Sequence, residues 1–495
     1  MSEINLFTMN PIARFFYKLY LFIVSIPGMV WHGIEAIGRG IRNLVFGIGR
    51  GFANYGRMFA KGDVFTKISF VVIGFGCIVR KQFVKGLLFL LVSVLLLYFV
   101  FSFGWPYLRD LGTLGTNAGG EEIDPETGLI KYALPDNSML ILLYSVMTLL
   151  VILVFLALYY ASISASYKAQ MLKKDGKPVP KFNEEVKHLF NEKYHITLLS
   201  LPTLLSGLFV ILPLIFMILI AFTNFDRSHQ PPGNLFTWVG LSNFGDVFGS
   251  NPSKSYTFQH LLRWTVIWAV VATLTNYILG MLLAMLINKK GVRLKKLWRT
   301  IFVLTIAVPQ FVSLLLMRRL FDDQGTINVI LKNLFGTTVN FLSNATNAKI
   351  MIIMINMWVG VPYSMLITSG ILMNIPQDLY ESARIDGASP LKTFTKITLP
   401  YMLFVTGPYL ITQFVGNFNN FNVIYLLTQG DPGNVRLYQA GDTDLLVTWL
   451  YKLTVNFQDY NLASVIGILV FVISAVLSLI VYNSSSSVKS EEEFQ

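Results

Sequence analysis

Long apolar stretches separated by short polar segments dominate this chain. An α-helix needs about 20 apolar residues to cross the hydrocarbon core of a bilayer, and eight stretches reach that length. They lie near 84–105, 139–161, 198–223, 262–288, 299–318, 349–372, 401–427 and 462–482. The pattern therefore predicts an all-α polytopic membrane protein with about eight transmembrane helices.

Composition and charge placement agree with a membrane protein. Of the 495 residues, 54% are hydrophobic and only 13% are charged, whereas a soluble protein carries about 25% charged residues. The net charge of +12 could suggest a nucleic-acid partner, but the basic residues gather between the apolar stretches. Of the 39 Lys and Arg, 28 lie in alternate polar segments that include both ends of the chain. The positive-inside rule then predicts a multi-pass plasma-membrane protein with both termini cytoplasmic and no nucleic-acid partner.

The order of the stretches predicts five segments. Ile and Leu at helical spacing from Ile34 to Phe52 lie opposite Arg39 and Arg42, which favours a helix in the membrane interface. The single cysteine, Cys77, excludes an internal disulfide and a thiolate cluster, and we predict no metal site and no catalytic residue. The segments are a basic cytoplasmic or interfacial region (1–83), two accessory transmembrane helices (84–161), a Lys-rich cytoplasmic linker (162–197), a core of six transmembrane helices (198–482) and a cytoplasmic tail (483–495).

The polar segment 376–400 interrupts the apolar pattern between the sixth and seventh stretches. Asn374 is a candidate N-cap for a helix at the start of this segment. Gly387 suits the left-handed residue that follows a helix C-terminus. Ser389 is a candidate N-cap for a second helix with Pro390 at its first position. The segment is therefore predicted to be a short cytoplasmic helix–turn–helix, for which an ordinary solvated loop is the simpler alternative.

The spacing of this segment resembles the EAA loop of ATP-binding-cassette (ABC) importer permeases. That motif is written EAA, three residues, G, nine residues, I-x-L-P, and Ser382 replaces its first alanine here. In the family the loop docks on a separate ATPase subunit and transmits its motion to the transmembrane helices. The resemblance implies ATPase coupling for Tyr380, Glu381, Ser382, Ala383, Asp386, Gly387, Ile397, Leu399 and Pro400.

The chain has no phosphate loop of the form G-x-x-x-x-G-K-[ST]. ATP and Mg would therefore be used by a partner ATPase, and we expect no cofactor to be bound by this chain.

Five side-chain amides lie in the seventh apolar stretch. Polar groups at membrane depth face a bundle interior or a cavity. The spacing of Gln413, Asn417 and Asn420 predicts that they share a helix face. Amides both donate and accept hydrogen bonds, as sugar hydroxyls do, which favours a neutral carbohydrate over a phosphate or a carboxylate. The alternative is that these amides only bridge neighbouring helices.

Three longer motifs indicate a resemblance to one group within the ABC importer permeases. They are WVGVPYSM, GNFNNFNVIYLLTQGDPG and AGDTDLLVTWLYKLTVNFQDYNLASVIGIL. From about 198 to 482 the chain is similar to permease subunits of the maltose/maltodextrin type (MalF-type). The likeness implies an ABC type I importer permease core in the C-terminal part. The short connection 224–261 resembles the form found in Gram-positive bacteria. The implied substrate-binding positions are Val359, Gly360, Tyr363, Gln413, Gly416, Asn417 and Asn420.

The same resemblance implies several partners. They are a second homologous permease subunit (MalG-like), two ATPase subunits (MalK-like), an extracellular sugar-binding lipoprotein and an oligosaccharide substrate. The outward segments 226–240 and 430–446 are candidate docking surfaces for the sugar-binding protein.

Three other interpretations stay open. One is a permease of the same superfamily for another oligosaccharide or a glycerol-phosphate-type solute. A second is an ion-coupled secondary transporter, which would need intramembrane carboxylates. The third, fourth, sixth and seventh stretches contain no Asp or Glu, which disfavours it. A purely structural scaffold is the third, and it leaves five intramembrane amides without a role.

Overall fold

The computed structural model describes residues 45–123, 130–289 and 291–484, together with residues 28, 35, 38–40, 42 and 43. Most of the predicted interfacial helix and of the tail 483–495 lies outside these residues. The described chain forms two compact units. The first unit comprises Glu35–Asn243 and Asp459–Ser464, and the second comprises Phe244–Gln458 and the residues from Val465 onward.

The first unit is built from helices and one short β-hairpin. Strands β1 and β2 pair antiparallel, with Gly120 opposite Ala133. Two of the long helices contain a π turn, at Val100–Gly104 and Gly207–Ile211. The elements are α1 (described over 45–61), α2 (Val64–Ile68), α3 (Phe75–Val79), α4 (Phe83–Asp110), β1 (Gly120–Ile123), β2 (Ile130–Ala133), α5 (Ser138–Lys174), α6 (Phe182–Phe190) and α7 (Tyr194–Ile220).

Helices are the regular elements of the rest of the described chain, and three of them are followed by π turns, Asp246–Ser250, Phe394–Thr398 and Lys452–Asn456. The elements are α8 (Ser242–Gly245), α9 (Pro252–Asn288), α10 (Lys295–Ala307), α11 (Gln310–Leu320), α12 (Thr326–Phe335), α13 (Ala345–Leu372), α14 (Gln377–Ile385), α15 (Pro390–Thr393), α16 (Leu399–Phe418), α17 (Phe421–Leu427), α18 (Leu446–Tyr451) and α19 (Tyr460–Ser484).

Six described helices are long and apolar enough to cross a membrane: α4, α5, α7, α9, α13 and the Tyr460–Leu479 part of α19. The all-α polytopic fold is therefore confirmed. The predicted stretch 299–318 is not one straight span, because α10 and α11 meet at an angle of 87°. The bend falls at Val308 and Pro309, where proline lacks an N–H and Val308 is extended. Counting this bent pair as one span gives seven.

The predicted stretch 401–427 is also not a single helix. Helix α16 ends at Phe418 and α17 begins at Phe421. Between them Asn420 is extended, and its side-chain oxygen accepts a hydrogen bond from the Val423 N–H at 3.1 Å. The break arises because an Asn side chain offers the backbone a local partner in place of the helical one.

Small residues let α9 and α13 pack closely in the second unit. A Cβ at Gly280 would lie 2.5 Å from the Ser364 Cβ, and one at Gly360 would overlap the Asn276 amide. Close backbone approach at small residues is typical of helix packing in membranes. Trp268 and Ile352, from these two helices, belong to one buried cluster with residues of α17. The α9–α13 pair is thus a closely packed part of this unit.

A buried polar network holds α2 and α3 against α5 in the first unit. The Arg80 side chain is only 3% exposed. Its guanidinium donates to the Asp63 carboxylate at 2.6 and 2.8 Å, to the Gly76 carbonyl at 2.8 Å and to the Ser166 hydroxyl at 2.9 Å. Ser166 lies on α5, so the two short helices are fixed to a long one through a satisfied charge.

We expect Asp63→Asn to destabilise this unit by about 1 kcal/mol, since the carboxylate is 40% exposed and solvent screens the pair. Burial alone would raise the pKa of Asp63, but Arg80 and Thr66 lower it below 3.8. A carboxyl with a lowered folded pKa stabilises above its unfolded pKa, and the contribution is lost as pH falls through the folded value. Thermal unfolding at pH 5 and pH 3 should therefore show a larger drop in Tm for the wild type than for Asp63→Asn.

Asp110→Asn is the matched control for that experiment. Asp110 pairs with Arg109 at 3.0 Å on an exposed surface, where an ion pair contributes little. A pH dependence in the wild type that Asp63→Asn leaves unchanged would show that the Arg80 network does not depend on this charge.

Candidate functional site

The segment 376–400 folds as the predicted helix–turn–helix. Its first helix, α14, begins at Gln377 with Pro376 as N-cap. The prediction of Asn374 as N-cap is wrong, because α13 continues to Leu372 and leaves Asn374 in the turn that follows, bonded to the Ile371 carbonyl.

The predicted turn is confirmed in detail. Gly387 has φ +67. Its N–H donates to the Arg384 carbonyl at 3.1 Å, and the next N–H, of Ala388, donates to the Ala383 carbonyl at 2.9 Å. This is the Schellman arrangement. Ser389 then caps α15 by accepting from the Lys392 N–H at 3.3 Å. The angle between the two arms is therefore fixed by backbone bonds that need a left-handed residue at 387.

The second arm runs into the membrane helix without a break. Helix α15, the π turn Phe394–Thr398 and α16 follow one another with right-handed helical cap residues. The first arm is tied to the foot of α16, because the Tyr380 hydroxyl lies 3.0 Å from the Thr398 hydroxyl and Ala383 is buried. We call residues 377–398 the coupling hairpin, after the role that the sequence resemblance predicts for this segment.

The predicted coupling residues divide between a packed and an exposed side of the coupling hairpin. Tyr380, Ile397 and Leu399 are partly buried and Ala383 is buried, while Glu381, Ser382, Asp386, Gly387 and Pro400 are exposed. Two apolar side chains on the exposed side, Ile385 and Leu391, are 87% and 72% exposed. Large apolar side chains grouped on a projecting element are typical of a protein contact.

Helix α16 and the break after it carry the predicted amides. Asn417 is 7% exposed, and its side-chain N–H donates to the Thr273 hydroxyl on α9 at 2.9 Å. Gln413, one turn earlier, is half-buried. The prediction that Asn420 shares their helix face is wrong, because Asn420 lies beyond the end of α16 and its side chain caps α17.

The other predicted positions lie on α13 and α16. The Asn276 side chain occupies the space beside Gly360 where a Cβ would lie, and the neighbouring Val359 is half-buried. Tyr363 is 44% exposed, and its ring centroid lies 6.4 Å from that of Tyr409 on α16. Gly416 is exposed, with open space where a side chain would stand.

Two further amides lie beside these positions and were missed in the sequence. Asn276 on α9 and Asn356 on α13 are each 7% exposed. The Asn276 Oδ1 and the Asn356 Nδ2 are buried and have no hydrogen-bond partner within the described residues. Buried polar atoms without partners call for a bound molecule or water. Their occurrence inside apolar stretches was a usable signal, since polar side chains at membrane depth are uncommon and face the interior of a bundle.

One packed cluster connects the coupling hairpin with the candidate substrate positions. Its buried members include Tyr277 and Met402, with Tyr380 and Tyr409 packed against them. The Tyr277 hydroxyl lies 2.7 Å from that of Thr406 on α16. Through Tyr409 the cluster reaches the Tyr363 ring, so the two sets of predicted residues are in continuous contact.

Comparisons with known proteins identify the family that this chain resembles. The family described as binding-protein-dependent transport system inner membrane component matches residues 276–490. The galactooligosaccharides transport system permease protein GanP of Bacillus subtilis (strain 168) is 35% identical over 424 residues, which is 85% of this chain and 97% of GanP. The maltodextrin transport system permease protein MalC of Streptococcus pneumoniae serotype 4 is 33% identical over 424 residues, 83% of this chain and 93% of MalC.

A solved structure shares the fold. It is the crystal structure of a bacterial ABC transporter involved in the import of the acidic polysaccharide alginate, with 23% sequence identity and a TM-score of 0.50. The match covers 61% of this chain and 98% of that one. The likeness supports the helical architecture described above.

Proposed function

This chain belongs to the family of binding-protein-dependent transport system inner membrane components, and on that premise we propose that it carries maltose/maltodextrin-type oligosaccharides into the cell. Transport proceeds by alternating access, driven by ATP hydrolysis in partner subunits. The chain is a membrane permease and a transport component. The likeness to the Gram-positive form is confirmed, since relatives such as GanP are matched over nearly their whole length.

The observation that carries the proposal is the continuous path from the coupling hairpin to the amides. The second arm of the hairpin joins α16 through the π turn, and α16 bears Gln413 and Asn417. A displacement of the hairpin is therefore applied directly to the helix with the candidate sugar positions. The exposed Ile385 and Leu391 supply apolar contacts for an ATPase subunit.

The candidate site favours a neutral sugar. Its described polar groups are the amides Asn276, Asn356, Gln413 and Asn417, with the hydroxyl-bearing ring of Tyr363. Amides pair with hydroxyls in both directions, while a phosphate or a carboxylate is better held by Arg or Lys. The proposed partners are a second permease subunit, two ATPase subunits and an extracellular sugar-binding lipoprotein, with both termini of this chain in the cytoplasm.

A competition experiment tests the proposal. Uptake of labelled maltotriose by proteoliposomes that contain the assembled complex is measured with a panel of unlabelled competitors. Maltose and longer maltodextrins should reduce uptake strongly, and glycerol phosphates should not. The likeness to GanP favours a second candidate substrate class, the galactooligosaccharides, so galactotriose belongs in the panel. Uptake that continues without ATP, or a complex that transports none of these sugars, would contradict the proposed function.

A further inference from the structure

The loop after α17 encloses a polar cavity that is separate from the candidate amides. Its volume is about 380 Å³, within the usual range for small-molecule sites. It lies within the second unit, between the end of α17, the loop 428–445 and the turn after α18. The residues that matter for its chemistry are Tyr425, Gln429, Asp431, Gln439, Asn456 and Phe457.

Two glutamines that line this cavity have a left-handed backbone conformation, which residues other than glycine rarely adopt. Gln429 has φ +57 and Gln439 has φ +54. A left-handed residue other than glycine costs free energy and persists when the surroundings enforce it. The Gln439 Oε1 is buried without a hydrogen-bond partner in the described chain. The loop thus holds, at a conformational cost, a cavity-lining residue whose acceptor has no partner, and a rotation of the Gln439 amide would turn that acceptor toward a ligand that donates to it.

The charges around the cavity are of both signs, because the Arg318 guanidinium donates to the Gln429 Oε1 at 3.3 Å and Asp431 lies among the lining residues. A neutral ligand fits this balance better than an anion. The Lys452 ammonium is 2.6 Å from the Asp444 carboxylate, which is fully buried and also accepts from the Gly441 N–H at 2.8 Å. Burial raises the pKa of Asp444, and Lys452 opposes that shift. The lysine is therefore neutralised within the loop. The carboxylate of Asp431 is exposed at the rim and would repel an anion, whereas it accepts hydrogen bonds from hydroxyls.

Aromatic side chains also line the cavity, among them Tyr425 and Phe457. Tyr425 stacks on Phe421 with ring centroids 4.8 Å apart, and Tyr451 packs on both of them, at 4.9 Å from Phe421 and 5.0 Å from Tyr425. The aromatic wall is thus fixed in place. Amides, a carboxylate and a rigid aromatic ring beside one another match the hydroxyls and the apolar face of a pyranose ring.

We propose that this cavity is a second carbohydrate site, which binds one or two glycosyl units of the oligosaccharide before they reach the amides of α16. The proposal rests on the proposed function, since it places the cavity on the outer side of the membrane. Gln439 accepts a hydrogen bond from a sugar hydroxyl, Asn456 and Gln429 add polar contacts, and Tyr425 supports the ring.

Photoaffinity labelling of the assembled complex in nanodiscs tests this site. The probes are maltotriose and galactotriose, each carrying a diazirine. Trypsin cleavage after Arg436 and Lys452 releases the peptide 437–452, which contains Gln439. At least one probe should label this peptide, and an excess of the unlabelled sugar should remove the label. Gln439→Met should reduce labelling about fivefold, and Asn456→Ala, at an exposed position, should also reduce it.

Gln458→Met is the matched control, because Gln458 has the same left-handed backbone, φ +57, and does not line the cavity. It should change labelling by less than twofold. Absence of label in 437–452 from a complex that transports either sugar would overturn the second site and leave the proposed function intact. Unchanged labelling in both Gln439→Met and Asn456→Ala would overturn it as well. Label without any uptake would instead support the sugar site and contradict the transport role.

Discussion

Replacing Gly387 by valine should reduce ATP-driven sugar uptake at least tenfold while the chain still inserts into the membrane and assembles. Gly387 has φ +67, and a β-branched residue there costs about 1–2 kcal/mol. The strain is relieved by opening the turn, which breaks the bonds to Arg384 and Ala383 that set the angle of the hairpin. The ATPase would then meet a displaced first arm. Uptake and ATPase activity are measured together in proteoliposomes, and uptake should fall more than ATP hydrolysis does.

Two control variants isolate the role of the turn. Gly387→Asn should retain most of the uptake, because Asn tolerates the left-handed conformation. Gly336→Val should leave uptake within twofold, since Gly336 has a similar left-handed backbone, φ +70, at the end of α12 but lies outside the coupling hairpin. Wild-type uptake in Gly387→Val, or an equal loss in Gly336→Val, would contradict the coupling role.

Asn417→Leu should raise KM for the transported sugar about tenfold with little change in the amount of assembled complex. Asn417 is buried, and its side-chain N–H donates a hydrogen bond to the Thr273 hydroxyl. The amide oxygen is therefore left to accept a hydrogen bond from a sugar hydroxyl. Loss of that bond and of the polar surface corresponds to about 1.4 kcal/mol, a factor of ten. Initial uptake rates over a range of sugar concentrations give KM and Vmax separately.

Thr273→Val separates sugar binding from helix bridging. It removes the hydroxyl that accepts from Asn417 but leaves the amide in place, so KM should stay within twofold. If both variants lower the thermal stability of the complex and neither changes KM, Asn417 serves only to bridge α9 and α16.

The coupling hairpin was readily predicted from sequence because its signals are local. A glycine after the helix end and a Ser-Pro helix start determine the backbone within a few residues, and both were found where expected. The start of α14 was misplaced by two residues, since Asn374 stays in the turn that ends α13, bonded to the Ile371 carbonyl, and Pro376 is the N-cap. Local chemistry decides turns, whereas helix boundaries depend on neighbours.

The candidate substrate site was only partly predictable. Hydropathy detects apolar stretches but not the points at which a stretch bends, so Val308–Pro309 and Asn419–Asn420 both fell inside predicted helices. Helical spacing then placed Asn420 on the same face as Gln413 and Asn417, although α16 ends before Asn420. Asn276 reaches Gly360 only through the packing of α9 on α13, a contact between positions 276 and 360 that one sequence does not encode visibly.

The interruption at Asn419 and Asn420 separates α16 from α17 within one apolar stretch. Helix α16 continues from the coupling hairpin, while α17 is packed in the buried cluster with Trp268 and Ile352. Under the proposed transport role, we expect α16 to change its angle to α17 while the buried cluster around α17 keeps its shape. Access to the candidate sugar positions would then be controlled by the movement of a single helix.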